Sequence, residues 1–294
     1  MLRSPDIELL PFKTLRGVKY FELVAEEIKQ EILPGIFIHA WGYNGSTPGP
    51  LIVVNPGDYV TIRVHNKLLE PTGIEWHGLD FPVLRNGGTE CNCGQLIDPG
   101  ESYDYQFKIQ SAPGTHMYHA HSSFINQTMM GLVGGFIVQK PVDIIDEDYF
   151  VMLSEFKLLN MPSGFLAEGV YDIDPGSHYF NFHTMNGKCY PMISPIEVKL
   201  GEQIRIRLAN GFSNVHPIHL HGHQFLVTAS DGNELPKTLM LKKNTLQIAA
   251  GECWDIEFNA NNKGCWPLHC AIPHHMSNNM IAKEGGLFTF VKYT

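Results

Sequence analysis

Charge is scarce in this chain: 21 Lys and Arg and 30 Asp and Glu make up 17% of its 294 residues, below the roughly 25% of an average globular protein. The bases nowhere run together and the net charge is −9, so a nucleic-acid backbone would be repelled, which excludes DNA and RNA as partners. Long apolar runs are missing too. The longest, Met129–Val138, has ten residues, half of the roughly 20 that a bilayer-crossing helix needs, so no membrane span is expected. Met1–Leu10 carries Asp6 and Glu8 and has no apolar core of the export-signal kind. Two locations stay open on that reading, inside the cell or outside with a leader already removed. The six cysteines, at 91, 93, 189, 253, 265 and 270, show neither a disulfide frame nor zinc-ribbon spacing. Helical periodicity is nearly absent, and with it the helical fold classes.

What is present begins with turns and a duplication. The chain has 28 glycines and 19 prolines, more than the roughly 12% of average usage. At about 150 residues per domain the length suggests two domains. The sequence repeats to match. Residues 56–66, PGDYVTIRVHN, answer to residues 200–210, LGEQIRIRLAN, and Trp76-His77-Gly78 answers to Leu220-His221-Gly222, all at an offset of 144. Gly114 and His119 answer to Gly264 and His269 at 150. In both copies apolar residues alternate with polar ones, Val60, Ile62 and Val64 in one and Ile204, Ile206 and Leu208 in the other. That is the period of a half-buried strand. Short strands between Pro-Gly, Asn-Gly and Asp-Gly turns predict an all-β protein of two Greek-key barrels, over 1–145 and 146–294.

Histidine is the other abundance, with fifteen in all. Four slots of the form His-x-His are laid out two per repeat: Glu75-Trp76-His77, His119-Ala120-His121, His219-Leu220-His221 and His269-Cys270-Ala271. Residues two apart on a strand face the same side, so each slot aims both side chains at one place. Cys270, between two slot positions, points to the opposite face, and so does His216, three residues before His219. With His275 and Met280 they make two imidazoles, one thiolate and one weak axial sulfur, the donor set of blue-copper electron-transfer sites. Cys270 shares a peptide link with His269, giving an electron a short covalent path from that site to the histidines behind it.

These motifs resemble those of the multicopper oxidases. Residues 216–223, HPIHLHGH, and 269–275, HCAIPHH, with Met280 look like their second-domain motifs, and Trp76-His77-Gly78 and residues 118–121, YHAH, like their first-domain ones. Size and duplication resemble the two-domain, small-laccase branch, which implies two cupredoxin-like barrels. The resemblance assigns His216, Cys270, His275 and Met280 to a type 1 copper. It assigns His121, His221 and His269 to one type 3 copper, His77 and His119 to the other, and His219 with position 75 to the type 2 copper. It also implies a homotrimer with the copper cluster between subunits, a small-molecule reducing substrate and O2 as acceptor. Two slots depart from the pattern: Glu75 and Ala271 stand where imidazoles are usual, so the cluster lacks two of its ordinary ligands. A carboxylate is a harder donor for copper and can relay protons, a catalytic role expected of Glu75 beside that of Cys270.

Two other functions fit the same residues. Copper nitrite reductases resemble this architecture and place a carboxylate two residues before a histidine ligand, as Glu75 precedes His77, with His77, His119 and His269 as counterparts of their mononuclear site. A non-catalytic electron carrier would use the blue site alone. The remaining residues have plainer readings. His39, His65, His178, His183 and His223 are expected to be solvated or structural, His116 and His274 to orient ligands, and the five other thiols to be structural.

Overall fold

The structure, a computed structural model, describes residues 2–80, 95–121, 124–141 and 144–294; Cys91 and Cys93 lie outside the described residues. The alternation read in the two repeats becomes two equivalent strands, Tyr59–Asn66 and Gln203–Asn210. Val60, Ile62 and Val64 are buried in one and Ile204, Ile206 and Leu208 in the other. Around each strand the chain builds a pair of sheets. In the first half, Ile36–Tyr43, Val18–Leu33, Tyr59–Asn66 and Ser102–Lys108 lie side by side, facing a sheet of Gly49–Val54, Val133–Val138, Gly114–Ala120 and Ile74–His77. In the second half, Glu147–Phe156, Gln203–Asn210, Cys253–Asn259 and Phe225–Ser230 run in order. They face Ile196–Val198, Phe288–Tyr293, Cys265–Cys270, His216–Leu220 and Thr245–Ile248. Among the described residues the only α-helix is Phe124–Met129, and no helix is long and apolar enough to cross a membrane. The chain is all-β, as the turn-rich composition and the period of two imply.

Each half has its own apolar core, one around Phe21, Trp76, Tyr105 and Phe136 and the other around Ile206, Phe225, Ile256 and Leu268. A third core joins them, with Leu51, Met117 and Ile137 from the first half packed with Phe150, Met152 and Ala209 from the second. The halves also exchange strands. Leu2–Arg3 pairs in parallel with Glu147–Phe156, and Gly169–Asp172 pairs in parallel with Ile36–Tyr43.

This junction explains a departure from simple alternation. Arg205 and Arg207 occupy the polar positions of their strand, yet both are buried, Arg207 against Thr115 of the first half and Arg205 between Glu257 and Asp148. Arg207 donates to both carboxylate oxygens of Asp148 at 2.8 Å, to Asp255 at 3.0 Å and to Thr115 Oγ1, across the junction, at 2.9 Å. A buried guanidinium is tolerated only when paired in this way.

Two close approaches hold the junction at a fixed distance. A Cβ on Gly114 would fall 2.2 Å from the carbonyl oxygen of Gly232, in the turn before Asn233–Glu234. A Cβ on Gly232 would meet the His116 ring at 2.1 Å. Gly114→Ala must therefore push backbone from backbone and is expected to cost about 1–3 kcal/mol, read as a lower denaturation midpoint in urea. His116 is buried there, and neither ring nitrogen has a hydrogen-bond partner among the described residues. Burial pushes its pKa down to about 4. As pH falls below about 6.5 the unfolded chain takes up a proton that the folded chain refuses until about 4, so stability is lost across that window, by at most about 3 kcal/mol. His116→Leu should flatten the fall in melting temperature between pH 7 and pH 4 relative to the unaltered chain; parallel curves would contradict it.

Candidate metal centres

Two antiparallel strands, His216–Leu220 and Cys265–Cys270, pair with Ile218 opposite Cys270 and His219 opposite His269. Alternation then sorts their side chains. His216 and Cys270 face inward and are fully buried, while His219, His221 and His269 emerge half-buried on the other face. His275 comes from the short 3₁₀ turn Pro273–Met276, which follows directly, and its ring is buried as well. The three inward residues converge. His216 Nδ1 and His275 Nδ1 are 3.1 Å apart, Cys270 Sγ lies 3.5 Å from His275 Nδ1, and all three donor atoms sit within 4.8 Å of one another.

The electrostatics suit a soft metal ion. Burial pushes the His275 pKa down to about 3, with the facing His216 adding to the effect, so this imidazole is an unprotonated donor at neutral pH. Burial pushes the Cys270 thiol up to about 12, so a metal ion must displace its proton on binding. Two imidazoles and one thiolate buried side by side fit copper. Met280 follows on a strained backbone: Asn279 and Met280 have φ of 49° and 64°. Asn279 is pinned there by donating its side-chain amide to the carbonyls of Pro162 and Phe165. Met280 is 56% exposed and lines a cavity of about 590 Å³ together with His274, His275, Tyr179 and Phe180.

A second set belongs to the first half. Ile74–His77 pairs with Gly114–Ala120 so that Glu75 lies opposite His119. His77 Nδ1 is 3.2 Å from His119 Nε2, and the donor atoms of Glu75, His77 and His119 share a 4.8 Å sphere. Glu75 Oε2 also reaches His121 Nδ1 at 2.8 Å. Glu75, His77 and His119 wall a cavity of about 440 Å³ whose far side is Phe212, Ser213 and Gly251 of the second half. The third set is His219, His221 and His269, with His221 Nε2 2.8 Å from His269 Nε2 and His219 ring-to-ring with both at 4.7 and 5.6 Å. Burial lowers the pKa of His119, His221 and His269.

The duplication extends to how the imidazoles are aimed. His119 Nδ1 donates to the carbonyl of Ala120, and His269 Nδ1 to the carbonyl of Cys270, both at 2.9 Å. His219 Nδ1 donates to the Asn244 carbonyl at 2.8 Å. An acceptor on Nδ1 fixes the proton there and leaves Nε2 as the donor to a metal. Ala271, at the last slot, is exposed and contributes only its backbone, an N–H donated to Pro217. The outward sets thus hold six imidazoles and one carboxylate.

Two further residues flank the buried set, and Glu155 is the one that no sequence feature singled out. Glu155 Oε2 is 3.0 Å from His216 Nε2. His183, expected to be solvated or structural, is buried and stacks on the His275 ring at 4.1 Å and 23°. Neither shows a metal-site motif; only the register of Glu147–Phe156 with Phe182–Met185, which sets Glu155 against His183, brings them together. His116 and His274 were expected to orient ligands. His116 makes no hydrogen bond to one among the described residues, and exposed His274 meets His275 edge to face at 4.5 Å. Cys189, Cys253, Cys265 and Cys270 are all free thiols.

Comparison with known proteins agrees with this chemistry. Residues 26–143 and 167–283 each match a multicopper oxidase family model. The chain superposes on the blue copper oxidase of Nitrosomonas europaea with a TM-score of 0.79 and 32% identity, covering 93% of this chain and 85% of that one. It is 30% identical to the multicopper oxidase mco of Staphylococcus aureus over 82% of this chain and 53% of that protein. It is 28% identical to a probable nitrite reductase-hydroxylamine oxidoreductase fusion protein of Kuenenia stuttgartiensis over 94% of this chain and 32% of that one. The chain therefore spans between about a third and about half of these two curated relatives. With two matching domain models, a cupredoxin-type fold and a buried two-histidine, one-cysteine set suited to copper, the chain belongs to the multicopper oxidase family.

Proposed function

We propose that this chain is a laccase-like oxidase: a small reducing molecule gives up electrons one at a time at the His216–Cys270–His275 set, and dioxygen is reduced at the outward sets. The observation that carries the reading is the peptide link between Cys270 and His269, whose side chains sit on opposite faces of one sheet and belong to different sets. Copper bound at these sets would supply one-electron storage at the thiolate and the reduction of O2 with four electrons and four protons to two waters at the imidazoles. The protein's own residues do the rest. The 590 Å³ cavity beside His275 holds the donor against a ligand ring. Met280 stands at that cavity and would offer its thioether sulfur to a copper held by the other three. Glu75, bonded to His121 and open to the second cavity, delivers protons.

The outward sets support an assembly as well. Apart from buried His119, the residues of both sets are half-buried or exposed, and each set holds only part of the donor set that the family uses. A head-to-tail contact that presents one chain's His219, His221 and His269 to its neighbour's Glu75, His77, His119 and His121 closes into a ring, and we infer a homotrimer. One specific observation favours a second reading. The Glu75 carboxylate stands within ligand distance of His77 and His119, as reduction of nitrite to nitric oxide and water, with one electron and two protons, would use it.

Copper content measured together with turnover decides between these. Near four coppers per chain with oxygen uptake is the expected result. Two coppers with nitrite-dependent nitric oxide would favour the second reading, and one copper without turnover would leave an electron carrier. Cys270→Ser should remove the blue absorption band and abolish oxygen uptake; a blue variant would refute the assignment. Glu75→Gln should slow oxygen uptake by roughly 100-fold, the usual weight of a positioned proton donor, and leave the visible spectrum unchanged.

A further inference from the structure

Behind the buried set lies the strand pair Glu147–Phe156 and Phe182–Met185. Glu155 projects from it with no solvent exposure at all. Its two oxygens serve different parts of the molecule. Oε2 is 3.0 Å from His216 Nε2, while Oε1 accepts from the Ser213 amide at 2.8 Å, the Ser213 hydroxyl at 3.2 Å and the Asn214 amide at 2.6 Å. The turn it grips stands between the two cavities: Phe212 and Ser213 line the one with Glu75 and His77, and Asn214 and Val215 line the one with His275 and Met280.

We propose that Glu155 is the positioning residue of the metal site: it holds the proton of His216 on Nε2, so that Nδ1 faces the metal as a lone-pair donor, and it ties that ring to the turn dividing the two cavities. The inference rests on the reading of His216, Cys270 and His275 as a copper site. Its logic is one of donors and acceptors. A carboxylate can only accept, so Nε2 must donate; backbone amides can only donate, so Oε1 is fully occupied. A carboxamide of the same shape cannot serve both sides. With its oxygen toward the amides, its NH2 meets Nε2, which must then accept, and the proton moves to Nδ1 and blocks the metal. Turned over, its NH2 abuts two N–H groups and leaves them unsatisfied.

Glu155→Gln is therefore expected to weaken copper(II) binding at the blue site by at least about tenfold, in line with the loss of a partner behind a ligand. It should also raise the reduction potential of whatever blue copper remains, because a buried negative charge has gone, and change the copper hyperfine coupling in electron paramagnetic resonance. A loss of packing alone would not shift the potential in a variant with an unchanged melting temperature. The unaltered protein gives a second, independent reading. Loaded with copper(II) and moved into D2O, it should keep a slowly exchanging proton on the remote nitrogen of one ligand imidazole, seen by electron-nuclear double resonance. A blue Glu155→Gln protein with unchanged affinity and potential, or rapid exchange of that proton, would overturn the role of Glu155 alone. Absence of the blue band from the unaltered copper-loaded protein would overturn the metal-site reading together with it. If the variant fails to fold, the exchange measurement decides.

Discussion

Everything in the metal region depends on the pleat of one pair of strands. Because side chains alternate strictly, Cys270 and His269 cannot face the same way, and the pairing of Cys265–Cys270 with His216–Leu220 gives each the partners it needs: His216 on the buried side, His219 and His221 on the open one. A slip of one residue in this pairing would turn the thiol outward and the imidazole inward. The apolar residues of the same strands, Ile218, Leu220 and Leu268, are buried with Cys270 in one core. Burial of aliphatic carbon thus fixes the register, and the register places the donor atoms.

The duplication has been used unevenly. Both halves retain the outward slots and the same device for aiming them, a ring N–H bound to the next residue's carbonyl. Only the second half keeps the inward set; where it has Cys270, the first half has Ala120, buried in an apolar core. One half thus carries a buried thiol set beside its outward imidazoles, and the other only imidazoles and a carboxylate. The junction reflects the same division. It combines apolar packing with the Arg207, Asp148, Asp255 and Thr115 network, whose hydrogen bonds require one relative orientation of the halves.

What could be read in the sequence was local. Alternation in Tyr59–Asn66 and in Gln203–Asn210, the His-x-His slots and the opposite direction of Cys270 all follow from a period of two, which needs no knowledge of distant pairing. Glu155 and His183 were invisible for the converse reason. Each lies on a strand distant in sequence, 61 and 33 residues from His216, and only the pairing of Glu147–Phe156 with Phe182–Met185 sets them behind the buried set. The burial of Arg205 and Arg207 is likewise not legible locally: they hold the polar positions of their strand, and only distant partners, Asp148 and Glu257 with Thr115 of the other half, cover them.

The exchanged strands have a consequence for anyone wishing to recombine these barrels. Severing the chain near residue 145 would strip Leu2–Arg3 from its seat on the second barrel and Gly169–Asp172 from the first. Each fragment would then carry an uncovered edge whose free amides and carbonyls invite association with foreign strands. Modules for grafting or chimera building should be cut so that each barrel takes with it the short ribbon contributed by its sibling.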